Sequence, residues 1–250
     1  MTVRLETQGP VAHLVIDRPA KRNAFDQAMW HALPALVAQA MANDLVRVLV
    51  LRSAAPGMFC AGADIAELSA NAADPDWLLA NQKSINRAQH DLTRAAKPTI
   101  ALIDGDCIGG GCGLALACDF RVVSPRSRFG ITPAKLGLVY PLHDTKLLVD
   151  LVGPAQAKRI LFTGTLIDAA TAHRMGLIDE IAENADPLIG MLIAASGHSQ
   201  RECKAVIRCI LDGQVGDDDA SRALFAAAFT GPDFREGVDA FLNKRKPNFL

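Results

Sequence analysis

The stretch KPTIALIDGDCIGGGCGLALACDF, residues 97–120, organises the chain. Its apolar beginning, residues 98–103, predicts a buried strand, and residues 112–118 predict a short buried helix. The consecutive glycines at 109–111 leave backbone N–H groups free and allow a ligand to approach closely. Such a loop is typical of a site for an oxygen that is anionic or becomes anionic during a reaction. A plain reversal of the chain direction is the structural alternative.

The glycine run does not match the two common phosphate-binding motifs. No Lys-Ser or Lys-Thr pair follows the glycines, as a P-loop requires, and the dinucleotide pattern G-x-G-x-x-G is missing. The sequence therefore gives no reason to expect a nucleoside triphosphate or a dinucleotide at this loop.

A second stretch repeats the same order of strand, small-residue loop and helix. Residues 46–51 predict a buried strand. The segment SAAPGMFCAGADI, residues 53–65, then leads into a helix that is predicted to begin near Asp64. Two loops of this kind are able to present one backbone N–H each to the same oxygen atom, so the pair is the candidate binding site.

Composition and charge exclude several classes of function. The chain has 250 residues, half of them hydrophobic, and its formal net charge of −1 gives no electrostatic reason to expect binding to nucleic acid or a membrane surface. There is no signal-peptide pattern, and no apolar run approaches about 18 residues. None of the six cysteines belongs to a C-x-x-C pair, so we expect reduced thiols, no metal site and a cytoplasmic protein.

The remaining patterns place strands in the first two thirds of the chain and helices in the last third. Strands are predicted over residues 4–6, 11–16, 119–124 and 177–182, and helices over 27–42, 74–94, 142–151, 154–162, 168–175 and, with a break at 213–217, from 187 onward. Thr132, before Pro133, is predicted to cap a one-turn helix that ends at Gly137. Tyr140, the only tyrosine, follows that helix.

Seven short segments, in their order along the chain, resemble one family. They are RPAKRNAF (18–25), MFCAGADI (58–65), the organising stretch (97–120), RFGITPAKLGL (128–138), LVGPAQAKRILFTG (151–164), GLIDEI (176–181) and EGVDAFLNKRKPNF (236–249). Each segment alone is weak evidence for membership of the family. Together they are similar to the crotonase superfamily, also called the enoyl-CoA hydratase/isomerase family, over nearly the whole chain.

This resemblance implies an α/β fold. Turns of the ββα kind are expected to wind into a spiral core over residues 1–186, and a C-terminal helical region over residues 187–250 is expected to make trimer and coenzyme contacts. The implied substrate is an acyl-CoA thioester, with coenzyme A as part of the substrate and no tightly bound cofactor. The implied assembly is a homotrimer or a hexamer.

The resemblance also assigns residues to roles. The backbone N–H groups of Ala63 and Gly110 correspond to an oxyanion hole, which stabilises the enolate formed when the α-carbon of the thioester becomes carbanion-like. The residues that it places at the coenzyme are Lys21, Arg22, Ala24, Ala61, Asp64 and Ile65, with Phe241 and Lys244 reaching the coenzyme of a neighbouring subunit.

Two positions depart from the family's hydratases, which use two glutamates. One glutamate matches Gly113 in this chain and the other matches Pro133. Without these carboxylates there is no evident base to activate water and no acid to protonate the α-carbon. We therefore expect weak or absent hydration of crotonyl-CoA, and isomerases that depend on the second glutamate are an equally poor match.

The pattern F-x-x-T-P-x-x-L-G-x-x-Y, residues 129–140, is similar to the branch that includes methylmalonyl-CoA decarboxylase. Loss of CO₂ from a malonyl-type thioester leaves the enolate directly and needs little acid–base chemistry. The leading hypothesis is therefore such a decarboxylase, with Tyr140 orienting the departing carboxylate and Thr132 as the other side-chain candidate. Where that enzyme carries a histidine, this chain has Ala63.

Two other hypotheses stay open. His143 and Asp144 are candidates for a relocated acid/base in an enoyl-CoA hydratase or isomerase. Their structural alternative is the exposed side of the following helix, with Asp144 as a first-turn charge. The third hypothesis is a protein that binds coenzyme A without catalysis.

Overall fold

Apolar runs in the sequence become the buried strands of the core. The structure, a computed structural model, describes residues 2–249. In it the run VLVLRS forms a strand, Val48–Ser53, with five of its six residues buried. A strand that is apolar on both faces suits a parallel sheet covered on both sides.

The order of the elements shows pairs of strands followed by helices in the first two thirds of the chain. The strands are β1 (Val3–Gln8), β2 (Val11–Ile16), β3 (Val48–Ser53), β4 (Met58–Cys60), β5 (Thr99–Ile103), β6 (Asp106–Ile108), β7 (Phe120–Val123), β8 (Arg128–Gly130), β9 (Ile167–Asp168) and β10 (Glu180–Ile181). The helices are α1 (Gln27–Ala42), α2 (Ile65–Ala70), α3 (Pro75–Thr93), α4 (Gly110–Leu116), α5 (Leu142–Thr163), α6 (Ala169–Arg174), α7 (Asp186–Ala194), α8 (Gly197–Leu211), α9 (Asp219–Ala228) and α10 (Pro232–Leu242).

The strands form two sheets, and the chain contributes strands to them alternately. A six-stranded sheet has the order β1-β2-β3-β5-β7-β10, and a four-stranded sheet has the order β4-β6-β8-β9. Strands β3, β5 and β7 join the large sheet in parallel, and each is followed by a strand of the small sheet: β4, β6 and β8. Each circuit therefore adds one strand to both sheets, and the expected spiral of ββα turns is confirmed.

Close backbone contact fixes the spacing between successive circuits. Gly105, between β5 and β6, has φ of 87° and lies against the backbone of Gly57, which precedes β4. A Cβ atom at Gly105 would collide with the carbonyl of Gly57. Only glycine therefore satisfies both the left-handed conformation and the close approach at this turn.

The core lies on both faces of the large sheet. One face packs, with the small sheet, against buried residues of α1, α3, α4 and α5, including Trp30, Leu92 and Leu114. The other face presents Val48 and Ile100 to Leu188 of α7. In residues 2–249, no helix combines the length and hydrophobicity that crossing a membrane requires.

Some local predictions need correction. The three-residue strands β4, β6 and β8 are absent from the strands predicted by the sequence patterns, and β4 lies within the loop predicted in residues 53–65. Thr132 is the N-cap residue of a one-turn helix, Pro133–Lys135, as predicted, although its side chain makes no capping hydrogen bond there. Gly137, with φ of 69°, follows that turn as expected. The two helices predicted over 142–151 and 154–162 are the two halves of α5, which Gly153 interrupts with φ of 73°.

Candidate active site

The two predicted loops meet at one edge of the small sheet. Strands β4 and β6 are parallel neighbours, so the loops that follow them lie side by side. A Cβ atom built on Gly110 would lie 3.6 Å from the backbone nitrogen of Ala63. Neither of these two backbone N–H groups donates to another protein group within residues 2–249. The site therefore presents two adjacent free donors.

Glycines make this close approach possible. Gly62 has φ of 95°, and a Cβ atom there would lie 2.9 Å from the carbonyl oxygen of Ile108 and 3.1 Å from the nitrogen of Gly110. Gly109, with φ of 53°, forms the N-cap of α4, and Gly110 is the first residue of that helix. A side chain at Gly62 would therefore force the two loops apart.

A cavity of about 520 Å³ opens beside the two donors. Most of its wall is apolar and comes from α2, α3 and residues 136–141. The predicted site residues that line it are Ala61, Ala63, Ile65, Gly110, Thr132, Tyr140 and Asp144. An apolar pocket beside paired backbone donors suits an acyl group whose carbonyl oxygen takes up negative charge.

Asp144, in the first turn of α5, contributes a buried carboxyl group to this cavity. Asp144 is 2% exposed, and Gln89 Nε2 of α3 donates a hydrogen bond to Asp144 Oδ1 at 2.6 Å. Asp144 Oδ2 has no hydrogen-bond partner among the described residues. Burial raises the pKa of Asp144, and the hydrogen bond from Gln89 offsets part of that rise. The exposed position considered for Asp144 is therefore wrong.

The Asp144–Gln89 pair fills the space beside Gly113. A Cβ atom at Gly113 would collide with both Gln89 Nε2 and Asp144 Oδ1. Gly113 is the position that the resemblance matches to the first hydratase glutamate. The carboxyl group of Asp144 therefore stands next to that position, although it comes from another helix.

We expect Gly113→Ala to destabilise the protein by about 1–3 kcal/mol, because the added methyl group displaces a buried hydrogen-bonded pair. Gly190→Ala is the matched control, since a Cβ atom at Gly190, inside α7, meets no atom within 4 Å. That control should stabilise the protein by about 0.5–1 kcal/mol. Thermal unfolding measures both variants, and equal effects would contradict the packing described at Gly113.

Tyr140 contacts the peptide group that carries one of the two donors. Its hydroxyl donates to the carbonyl oxygen of Gly109 at 3.3 Å, and this carbonyl shares a peptide unit with the Gly110 N–H. Burial, and next the charge of Asp144, raise the pKa of Tyr140, so its hydroxyl remains a donor at neutral pH. Tyr140 is therefore placed to hold the orientation of the Gly110 N–H.

Several residues that the resemblance assigns to the coenzyme lie outside the cavity. Asp64 is buried, caps α2 through its side chain and pairs with Arg18 at 3.0 Å and Lys21 at 3.8 Å. Arg22 reaches Asp106 at 3.4 Å. Ala24 is buried, and Phe241 and Lys244 are exposed at the C-terminal end. The basic side chains of Lys21 and Arg22 remain more than half exposed.

Three residues of the site, Trp30, Asn81 and Gln89, were not predicted from the sequence. The sequence also did not decide whether His143 faces the pocket. His143 is half-buried and is not among the residues that line the cavity. Gln89 and Asn81 belong to the buried face of α3, and Trp30 of α1 packs under Gly110, where a Cβ atom would lie 3.2 Å from Trp30 Cζ2. The helical spacing of residues 81, 88, 89 and 92 was the available signal for α3.

Comparisons with known proteins identify the family of this chain. A model of the enoyl-CoA hydratase/isomerase family matches residues 6–250. Crotonyl-CoA hydratase of Syntrophomonas wolfei is 32% identical over 98% of this chain and 96% of its own length. Enoyl-CoA isomerase/hydratase fer4 of Mycosarcoma maydis is 32% identical over 96% of this chain and 92% of its own length.

Solved structures give the same result. A crystal structure of an enoyl-CoA hydratase/isomerase family protein from Hyphomonas neptunium superposes with a TM-score of 0.96, at 40% identity, over 100% of this chain and 98% of its own. The enoyl-CoA hydratase/carnithine racemase from Magnetospirillum magneticum gives a TM-score of 0.94 at 29% identity, covering 100% and 96%. The chain therefore belongs to the enoyl-CoA hydratase/isomerase, or crotonase, family of enzymes.

Proposed function

We propose that this protein is an acyl-CoA enzyme that forms a thioester enolate and moves a proton along the acyl chain with Asp144, as an enoyl-CoA isomerase does. The observation that carries the proposal is the unpartnered Oδ2 of Asp144, buried in the wall of the cavity that also contains Ala63 and Gly110. Among the described residues that line this cavity, Asp144 is the only carboxylate. Double-bond isomerisation needs one group that first accepts and then returns a proton.

The proposed reaction balances with this single group. Asp144 Oδ2 takes a proton from the α-carbon of a 3-enoyl thioester, and the electrons of the broken C–H bond form a dienolate. The N–H groups of Ala63 and Gly110 stabilise the negative charge on its oxygen. The double bond then lies between the α- and β-carbons once Asp144 returns the proton to the γ-carbon, and its carboxylate is regenerated.

Names of similar proteins support chemistry on enoyl thioesters. The relatives from Syntrophomonas wolfei and Mycosarcoma maydis are called a crotonyl-CoA hydratase and an enoyl-CoA isomerase/hydratase. Hydration adds water across the double bond and conventionally uses two carboxylates in this family. With Asp144 alone, we expect isomerisation to be faster than hydration.

Decarboxylation of a malonyl-type thioester is the second candidate. It is favoured by the position of Tyr140, whose side chain lines the cavity beside the glycine loop. In this reaction the C–CO₂ bond breaks, its electrons form the enolate, and neutral Asp144 supplies the proton to the α-carbon. The pKa of Asp144, raised by burial, makes that neutral form accessible.

A panel of thioesters separates these functions. We expect turnover of 3-hexenoyl-CoA to 2-hexenoyl-CoA, with crotonyl-CoA hydrated far below a typical enzyme rate of about 10 s⁻¹. Faster turnover of methylmalonyl-CoA or ethylmalonyl-CoA would replace the proposal with the decarboxylase. Binding of coenzyme A esters without any turnover would instead support a binding protein.

Replacing Tyr140 with phenylalanine should lower turnover strongly and lower the stability of the fold only slightly. Loss of the hydroxyl removes one of the two hydrogen bonds that the Gly109 carbonyl accepts and leaves the one from the Gly113 N–H at 3.2 Å. The Gly110 N–H is then less well oriented, and we expect turnover to fall about 10- to 100-fold. The single hydrogen bond contributes only about 1 kcal/mol to folding. An unchanged rate with a lowered melting temperature would show that Tyr140 is structural.

We further propose a homotrimer or hexamer in the cytoplasm, with residues 1–186 as the spiral core and 187–250 as the region that contacts neighbouring subunits and their coenzyme. The support is a set of exposed apolar side chains on the C-terminal helices: Ile207, Ile210, Phe225, Phe241 and Leu242. Light scattering at micromolar concentration should give three or six times the 26.6 kDa chain mass. A monomer would contradict this assembly.

A further inference from the structure

The wall of the acyl cavity contains a buried polar atom without a hydrogen-bond partner that neither the two donors nor the proton transfer uses. This atom belongs to Asn81 of α3, and the neighbours of Asn81 in the wall include Leu78, Ile85, Leu68 and Leu138. Asn81 is 6% exposed, and its Oδ1 has no hydrogen-bond partner in the part of the chain that the structure describes. Buried polar atoms without a partner are few in folded proteins, and each requires an explanation.

Two other lining residues also carry unpartnered polar atoms, but their roles differ. Asp144 Oδ2 is the proton-transfer atom, and Trp30, with its free Nε1, packs under Gly110 at the donor pair. Asn81 precedes Gln89, the partner of Asp144, by eight residues on α3. Eight residues correspond to about 12 Å along a helix axis. Asn81 therefore faces a part of the cavity remote from the proton-transfer group.

The chemistry of the free atom limits what it binds. A carbonyl oxygen only accepts hydrogen bonds, so its partner must carry a donor. An ionised carboxylate accepts from the Asn81 Nδ2 but has no proton for Oδ1, and a carboxylate or an ammonium group would lose its hydration among apolar side chains at great cost. A hydroxyl group donates a hydrogen bond without a charge, and the methylene groups beside it suit the apolar wall.

We propose that the cavity binds an acyl thioester whose chain carries a hydroxyl group beyond its reacting carbons, and that Asn81 Oδ1 accepts the hydrogen bond from this hydroxyl. Asn81 is then a specificity-determining residue of the acyl subsite. The inference rests on the proposed function, because it takes the cavity as the acyl site of a coenzyme A thioester.

Unreactive thioethers of coenzyme A test this preference without turnover. Two matched series are titrated by calorimetry: S-alkyl-CoA with chains of four to eight carbons, and the same chains with a terminal hydroxyl. In the wild-type protein, at least one hydroxylated chain should bind about tenfold more tightly than its plain counterpart. Asn81→Leu, which keeps a similar volume, should abolish or reverse that preference.

Gln82→Leu is the matched control on the same helix. Gln82 also lines the cavity, but its Nε2 already donates to Asn86 Oδ1 at 2.8 Å. This variant should keep the preference for the hydroxylated chain. A loss of preference in Gln82→Leu equal to that in Asn81→Leu would contradict the assignment to Asn81.

The outcomes separate this inference from the proposed function. Equal binding of the two series by the wild-type protein would overturn the hydroxyl subsite alone, and it requires no variant to fold. A preference that persists in Asn81→Leu would also overturn it. Failure of both series and of coenzyme A itself to bind would overturn the proposed function and the subsite together.

Discussion

Asp144→Asn should lower turnover of the acyl-CoA substrate by about 10²–10⁴-fold, the range for loss of a positioned acid or base. Asparagine keeps the size of the side chain and its contact with Gln89, which donates to Asp144 Oδ1 at 2.6 Å. It cannot accept and return a proton. The measurement is steady-state turnover of 3-hexenoyl-CoA, with binding of coenzyme A recorded in parallel.

The same substitution predicts a change with pH. Burial raises the pKa of Asp144 in the folded protein above its unfolded value of about 3.9, so folding takes up a proton between the two values. The wild-type protein therefore loses stability as pH rises through the folded pKa, whereas Asp144→Asn does not. The melting temperature of the variant should rise relative to that of the wild type as pH increases from about 4 through the folded pKa of Asp144. The rate of proton abstraction by the wild type should rise over the same window.

Asp150→Asn provides the control for Asp144→Asn. Asp150 lies on the same helix, pairs with Lys146 at 2.5 Å on the surface and does not line the cavity. Its substitution should change turnover by less than about twofold, because exposed ion pairs contribute little. If Asp144→Asn behaved like this control, Asp144 would not be the proton-transfer group.

Gly110→Pro should lower turnover by about 10²–10³-fold, because proline lacks the N–H that one side of the oxyanion hole requires. Gly110 is the first residue of α4, a position where proline is tolerated in helices. The fold should therefore persist, and melting temperature checks that it does. Affinity for coenzyme A, which has no thioester carbonyl, should stay within about threefold.

Gly110→Ala separates loss of the donor from crowding. Its Cβ atom would lie 3.2 Å from Trp30 Cζ2 and 3.6 Å from the Ala63 nitrogen, but the N–H remains. Gly110→Ala should therefore lower turnover less than Gly110→Pro does. Equal losses in the two variants would attribute the effect to crowding and contradict the assigned role of the Gly110 N–H.

The paired loops were predictable because their signals are local. An apolar run followed by small residues predicts a strand and a close turn, and this pattern occurs before both Ala63 and Gly110. Parallel pairing of β4 and β6 then brings the loops together. These two strands were missed because three residues are too few for a periodic pattern to appear.

The side chains of the cavity were harder to predict because they depend on packing between distant helices. A first-turn aspartate such as Asp144 fits an exposed or a buried position equally well in sequence. Its burial follows from contact with Gln89, which lies 55 residues away in the chain. Helix α3 has a recognisable buried face, but the amides of Asn81 and Gln89 within it give no sign of what they contact.

Hydrogen–deuterium exchange at the α-carbon of butyryl-CoA in heavy water tests the central claim most directly. This saturated thioester can form the enolate but has no double bond to move or hydrate and no carboxylate to lose. We expect the wild-type protein to remove the α-proton signal from the NMR spectrum and Asp144→Asn to do so at least about 100-fold more slowly. Bound butyryl-CoA that shows no exchange with the wild-type protein, or equal exchange with Asp144→Asn, would contradict it.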